Sequence, residues 1–438
     1  MNNTNTITSI DELLSKKGQP VTSIKIADNL TDFPEGILNY AETLEILDLS
    51  NNQLTELPES IAGLTSLKIL FASNNLFTKF PTVLYRCCSL KMIGFKANKI
   101  KEVPEQALPI NTRWLILTDN LIEKIPDDIG RIQRLQKCML AGNHLKTLPD
   151  SLEKCQALQL LRISANQLQQ LPTQVLALPN LAWLALAGNP FNTGLTLPDT
   201  VPKISTQALT MGALLGEGAS GLIYQASHKQ KDYAVKIFKG SVTSDGYPED
   251  ELLASLRIPT HANLVKIIAQ IDSQDSSGVL MELIPASFGN LGLPPSLDSC
   301  TRDVFDDSWR FDESQVAYII QQMVDAIQHI HRHHFIHGDI YAHNVLVDER
   351  GQLLFGDMGA ASYIAKCDDA QQAVLLLAEY RAMAYFIEDV IHRCASFAIN
   401  TLPKEHVLCK IDNLCQQLIR TKKVTPTFLK EISSVLLA

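Results

Sequence analysis

The chain has 438 residues, 46% of them hydrophobic, and a net charge of −9. That apolar content supports two or three packed domains and excludes a disordered polymer, and the absence of a basic excess argues against a nucleic-acid backbone as partner. No run reaches the roughly 18 consecutive apolar residues of a membrane helix, and the polar stretch Met1 to Ile10 lacks a secretory pattern. Nine cysteines without a C-x-x-C spacing read as reduced thiols, not as a disulfide framework or zinc site. The expectation is a cytoplasmic protein. The charge is uneven: residues 1–203 carry 19 basic and 19 acidic side chains, residues 204–438 carry 19 and 28. Two unlike modules follow.

In chain order, Ser9 with Glu12 forms a possible capping box and predicts a helix over 8–17, within a capping segment 1–20. Asparagines then recur at Asn29, Asn52, Asn75, Asn98, Asn120, Asn143, Asn166 and Asn189, with prolines in phase at Pro34, Pro58, Pro81, Pro104, Pro126, Pro149 and Pro172. Around them runs the pattern L-x-x-L-x-L-x-x-N-x-L, as in Leu44, Leu47, Leu49, Asn52 and Leu54. About eight units of 23 residues over 21–194 thus form a repeat array, each unit one short strand and a return segment that buries its leucines only by stacking. The pattern resembles the leucine-rich repeat family. Side chains alternate along a strand, so the residues between the leucines face the concave surface. Phe71, Trp114, Ile116, Met139 and Trp183 stand in those columns and are candidate anchors for a protein partner. No cap follows Asn189, so the next domain is expected to cover that end.

A linker over 195–206 precedes a second module, 207–438. Leu215-Gly216-Glu217-Gly218-Ala219-Ser220-Gly221-Leu222-Ile223 is a G-x-G-x-x-G loop. Alone it also fits a dinucleotide site, but no helix pattern follows it, and Lys236 stands 13 residues beyond Ile223 in an apolar strand. His337-Gly338-Asp339 with Asn344, and then Asp357-Met358-Gly359, follow in order. The ordered set resembles the protein kinases. The fold class implied is α/β: a repeat solenoid followed by a bilobal α+β kinase-like domain with a shortened C-lobe.

The resemblance implies ATP and Mg2+ as cofactors. Gly216, Gly218 and Gly221 would let backbone approach the phosphates; Leu215, Ile223, Ala234 and Leu346 would sandwich adenine; Met281, Glu282 and Ile284 would form the gatekeeper and hinge. Lys236 would hold the α/β-phosphates, Asp339 would orient the acceptor hydroxyl, and Asn344 and Asp357 would bind magnesium. Counting back from His261-Ala262-Asn263 favours Glu251 as the partner of Lys236, whereas apolar spacing in the helix favours Glu249; Glu251 is preferred.

Several positions depart from the family. Gly338 replaces an arginine, Tyr341 stands where a lysine usually touches the γ-phosphate, with His343 as a substitute, and no Ala-Pro-Glu follows Gly359. Glu379 opens what reads as the central C-lobe helix only 22 residues after Asp357, so the activation segment is short. The histidine run His329 to His334 reads as helix-end surface, not a metal site, and Asp298, Asp303, Asp306 and Asp307 as a solvated loop. The leading reading is a Ser/Thr-type protein kinase whose repeats recruit substrate or regulator. The alternatives are a non-catalytic scaffold and a small-molecule phosphotransferase. The oligomeric state is not legible.

Overall fold

The computed structural model describes residues 6–16, 19–197, 201–218, 220–272, 277–305, 309–398, 402–420 and 427–437. By compactness the chain divides into two units. One holds Met1–Leu161 and Asn166–Pro179; the other holds Arg162–Ala165 and Asn180–Ala438. Repeat periodicity runs on to residue 194, so part of the repeat sequence folds with the second unit.

In the first unit a helix spans Ile10–Ser15, shorter than the sequence suggested. The Ser9 hydroxyl accepts the Glu12 N–H, while Glu12 accepts the N–H of Thr8. Leu13 is buried and lies against Gly36 of the first return segment. Three-residue strands follow at Ser23–Lys25, Ile46–Asp48, Ile69–Phe71, Met92–Gly94, Trp114–Ile116 and Lys137–Met139, all parallel and in register in chain order. Their central residues Ile24, Leu47, Leu70, Ile93, Leu115 and Cys138 are fully buried, as alternation requires.

Each return segment is short because proline sets its first dihedral. Single 3-10 turns Glu59–Gly63, Thr82–Arg86, Asp127–Arg131 and Asp150–Lys154 each begin just after a proline whose φ lies between −66° and −71°. The asparagines close the turn after each strand. Asn143 donates to Leu117 O at 2.9 Å and Leu140 O at 3.0 Å, and accepts from Ile122 N at 3.0 Å. These are backbone groups that no sheet ladder reaches.

The second unit opens on a six-stranded sheet. Across it run Lys203–Ile204, Ile267–Asp272, Ser277–Glu282, Lys231–Phe238, Gly221–His228 and Thr210–Glu217. The helix Pro248–Arg257 turns Glu251, Leu252 and Ala254 inward. The helical part is built on Glu313–Arg332 and Asp369–Ile391, each started by an aspartate in a full capping box. The second is buried on nearly every side from Leu375 to Ile391, the pattern of a central core helix. Val407–Arg420 and Phe428–Leu437 complete it. The repeat-derived strands pair inside this unit: Ile163 N donates to Ala185 O at 3.0 Å and Ala165 N to Ala187 O at 2.8 Å.

Candidate active site

A cavity of about 770 Å³ opens in the second unit under the glycine loop. Its glycine-loop wall comes from Leu215, Gly216, Gly218, Gly221 and Ile223, its back from Ala234, Lys236 and Met281, its edge from Glu282 and Ile284, its floor from Leu346, Asn344 and Asp357. Every residue that the sequence nominated for nucleotide contact lines this one space; Ala219, between the glycines, lies outside the described residues. Strand pairing assembles it. Gly221–His228 runs antiparallel to Lys231–Phe238, setting Ile223 opposite Lys236, and Ala234 lies opposite Met281 on the next strand.

At the inner end the Lys236 ammonium pairs with Glu251 and lies 3.7 Å from the Asp357 carboxylate. Glu249, two residues earlier on the same helix, is exposed, so helix phase decides between the two candidates. Burial alone would lower the Lys236 pKa, but Asp357 and Glu251 outweigh it and raise it. Burial, reinforced by Asp357, pushes the Glu251 carboxyl up to about 7 against the pull of Lys236. The cation is the firmer member of the pair, because two carboxylates face it. Asp357 sits in the left-handed region at φ 59° and accepts from Gly359 N at 3.3 Å. Desolvation raises its carboxyl, yet Lys236 and that N–H hold it below the usual range. Its side chain is 46% exposed toward the cleft.

The loop His337–Asn344 is held from beneath. Glu379, buried on the central helix, accepts the N–H groups of His337 at 2.7 Å and Gly338 at 3.0 Å. His337 is fully buried against Phe355 and lies 3.1 Å from Gly356 O. Asn344 donates to Asp339 twice, to the backbone oxygen at 3.0 Å and to Oδ2 at 2.8 Å. Asp357 and Asn344 offer hard oxygen donors on the floor of the cavity, which suits a magnesium ion completed by phosphate oxygens. Among the described residues no three His, Cys, Asp or Glu side chains cluster to hold a metal unaided, and no helix is long and apolar enough to cross a membrane.

Residues 209–384 match the family model of the protein kinase domain, and residues 19–77 that of the leucine rich repeat. The chain carries a protein kinase domain. Among its relatives are serine/threonine-protein kinase pakC of Dictyostelium discoideum, 27% identical over 43% of this chain and 38% of that protein, and mitogen-activated protein kinase kinase kinase ANP1 of Arabidopsis thaliana, 26% identical over 38% and 24%. The chain thus spans under two fifths of the length of these relatives. A solved leucine-rich repeat protein of Leptospira interrogans, 24% identical over 44% of this chain and 56% of that one, aligns with a TM-score of 0.35, too low to carry an argument.

Two expectations about side chains around the kinase domain, those for Trp183 and Asp303, are corrected. Trp183 is 1% exposed, not an exposed anchor. It stacks on Tyr341 at 4.6 Å and Tyr385 at 5.4 Å between ring centres, and donates to Ile340 O at 3.0 Å. Alternation placed it outward from the repeat core correctly, but the kinase residues of its own compact unit cover that side. Tyr341, buried in this stack, takes no phosphate-facing place. Asp303 is buried and not solvated; its carboxylate accepts the His343 backbone N–H at 3.1 Å and lies 2.7 Å from Nδ1. Asp306 and Asp307 lie outside the described residues.

In the first unit Phe71, Trp114, Ile116 and Met139 are half-buried. Trp114 donates to Met139 Sδ at 3.4 Å and carries the Lys137 ammonium 4.2 Å above its ring. Sequence reading missed four contacts. The Arg162 guanidinium meets Asp339, Arg381 donates to Leu181 O at 3.1 Å, Ser362 accepts Leu186 N at 3.0 Å, and Ser164 donates to Asp245 O. The one available signal was Arg162 itself, a charged residue in a column otherwise rich in apolar and small side chains.

Proposed function

We propose that the chain is an ATP- and magnesium-dependent serine/threonine protein kinase. The single observation that carries this is the convergence of the Lys236–Glu251 pair, Asp357 and Asn344 on one cavity, with Asp339 bonded to Asn344 beside it. In the proposed reaction the acceptor hydroxyl oxygen bonds to the γ-phosphorus while the bond to the β–γ bridging oxygen breaks, its electron pair leaving on ADP. The hydroxyl proton passes to Asp339, and Lys236, fixed by Glu251, holds the non-transferred phosphates. Asp357 and Asn344 would hold a magnesium ion, which when bound would neutralise charge on the phosphates. Excluding water from a cleft of this size strengthens each of these interactions.

The half-buried patch of Phe71, Trp114, Ile116 and Met139 supports protein-partner recruitment by the repeats, since such aromatic and sulfur-rich surfaces supply binding anchors. The test is γ-phosphate transfer from labelled ATP with Mg2+, wild type beside Lys236→Ala and Asp357→Asn. Both variants should lose at least about a hundredfold in rate while keeping the wild-type circular dichroism. Equal turnover in all three would overturn the reading.

A further inference from the structure

Arg162 comes from repeat sequence yet packs within the compact unit of the kinase domain, with only 3% of its side chain exposed. Its Nη1 donates to Gly338 O at 2.9 Å, its Nε lies 2.7 Å from Asp245 Oδ1, and its Nη2 reaches Asp339 Oδ1. Asn344 holds the other oxygen, Oδ2, at 2.8 Å. Each oxygen of the Asp339 carboxylate thus accepts one bond from a fixed donor, and each keeps a further lone pair for a hydroxyl. Burial lowers the Arg162 pKa, but Asp339 and Asp245 more than offset it, so the group is a permanent cation.

Gly338, next to Asp339, stands at φ +73°, and a Cβ there would collide with Leu184 O and Ala360 O. Repeat backbone therefore occupies the space that a side chain at 338 would need, and a guanidinium reaches the loop from position 162 instead. The neighbouring contacts are of the same kind: Trp183 on Ile340, Ser362 on Leu186 and Arg381 on Leu181, all buried. A releasable latch would not be built so. Its opening would strand a buried cation and expose an indole, whereas a fixed clamp leaves one carboxylate geometry in place.

We propose that Arg162 is a positioning residue for Asp339, holding the carboxylate in a single orientation toward the acceptor hydroxyl. The proposal rests on the kinase reading above. Arg162 is not among the residues lining the nucleotide cavity, so its loss should act on kcat and leave the ATP KM unmoved.

The experiment measures labelled γ-phosphate transfer from ATP with Mg2+ to the full chain itself, to casein and to water. It compares wild type, Arg162→Gln, Arg162→Lys, Asp339→Asn and the Arg162→Gln/Asp339→Asn double variant. Arg162→Gln should lower kcat about a hundredfold and Arg162→Lys about tenfold, the ammonium keeping the charge but not the fork. The KM for ATP should stay within about twofold. In the Asp339→Asn background Arg162→Gln should cost less than about threefold more, since the two residues act through one carboxylate. If Arg162→Gln does not fold, Arg162→Lys and its double variant carry the same comparison. Wild-type kcat in the folded Arg162 variants, a rise above wild type as a latch would give, or an equal loss in both backgrounds would overturn the proposal. An inactive wild type would instead overturn the kinase reading, and this one with it.

Discussion

Replacing Trp183 by alanine removes a side chain that is 1% exposed, two ring stacks at 4.6 and 5.4 Å, and a 3.0 Å hydrogen bond to Ile340 O. Truncating a buried aromatic residue costs about 3–5 kcal/mol, and the loss here belongs in the upper half of that range, because the carbonyl of Ile340 is left without its donor. For a unit of this size about 4 kcal/mol corresponds to a fall of roughly 8–16 °C in Tm. Trp183→Phe keeps most of the stack and loses the N–H, so a smaller cost of about 1–2 kcal/mol is expected. Scanning calorimetry with circular dichroism reads both, and the transition of the second unit is the one that should move. The transition of the first unit should stay in place. A Trp183→Ala protein melting within about 2 °C of wild type would refute the burial assigned to this indole.

Glu251→Gln should lower phosphoryl transfer far more than Glu249→Gln, because only Glu251 meets Lys236; similar losses in steady-state assays would contradict that geometry. Burial pushes the Glu251 carboxyl up to about 7, so protonation should break its ion pair as pH falls. Wild-type rate should therefore drop as pH is lowered through about 7, and the Gln variant should lack that limb. Asn143→Ala removes two donated bonds and one accepted bond from buried backbone, an expected cost of about 2–4 kcal/mol read as a Tm loss in the first unit. Burial alone would lower the His343 pKa, but the hydrogen bond with Asp303 raises it. A raised imidazole contributes stability that is full below the unfolded value of about 6.5 and is lost as pH rises through the folded one. Asp303→Asn should abolish that pH dependence, with the imidazole titration followed by NMR.

What could be read from the chain follows from which interactions are local. The spacing of Asn120, Asn143 and Asn166 announces the array, since each asparagine serves turns within 26 residues of itself. The order Gly216, Lys236, Asp339, Asn344, Asp357 announces the cleft of the second unit, because loop, strand and turn each need their own residue type at a fixed place. Glu251 could be counted back from His261, whereas the apolar spacing of its own helix pointed to Glu249. The exposure of Trp183 and Asp303 could not be read this way. Alternation along a strand says which way a side chain points, and says nothing of what lies there.

Sequence alone thus determined the two modules, the strand and turn periods and the residues around the cleft, all of which rest on contacts within a repeat or within one motif. Tertiary structure decided which repeat residues fold with the kinase domain. Arg162 lies 177 positions from Asp339, and Trp183 lies 157 from Ile340. No periodicity spans such separations; the ion pair and the buried indole arise only when packing brings distant backbone together and removes the water between.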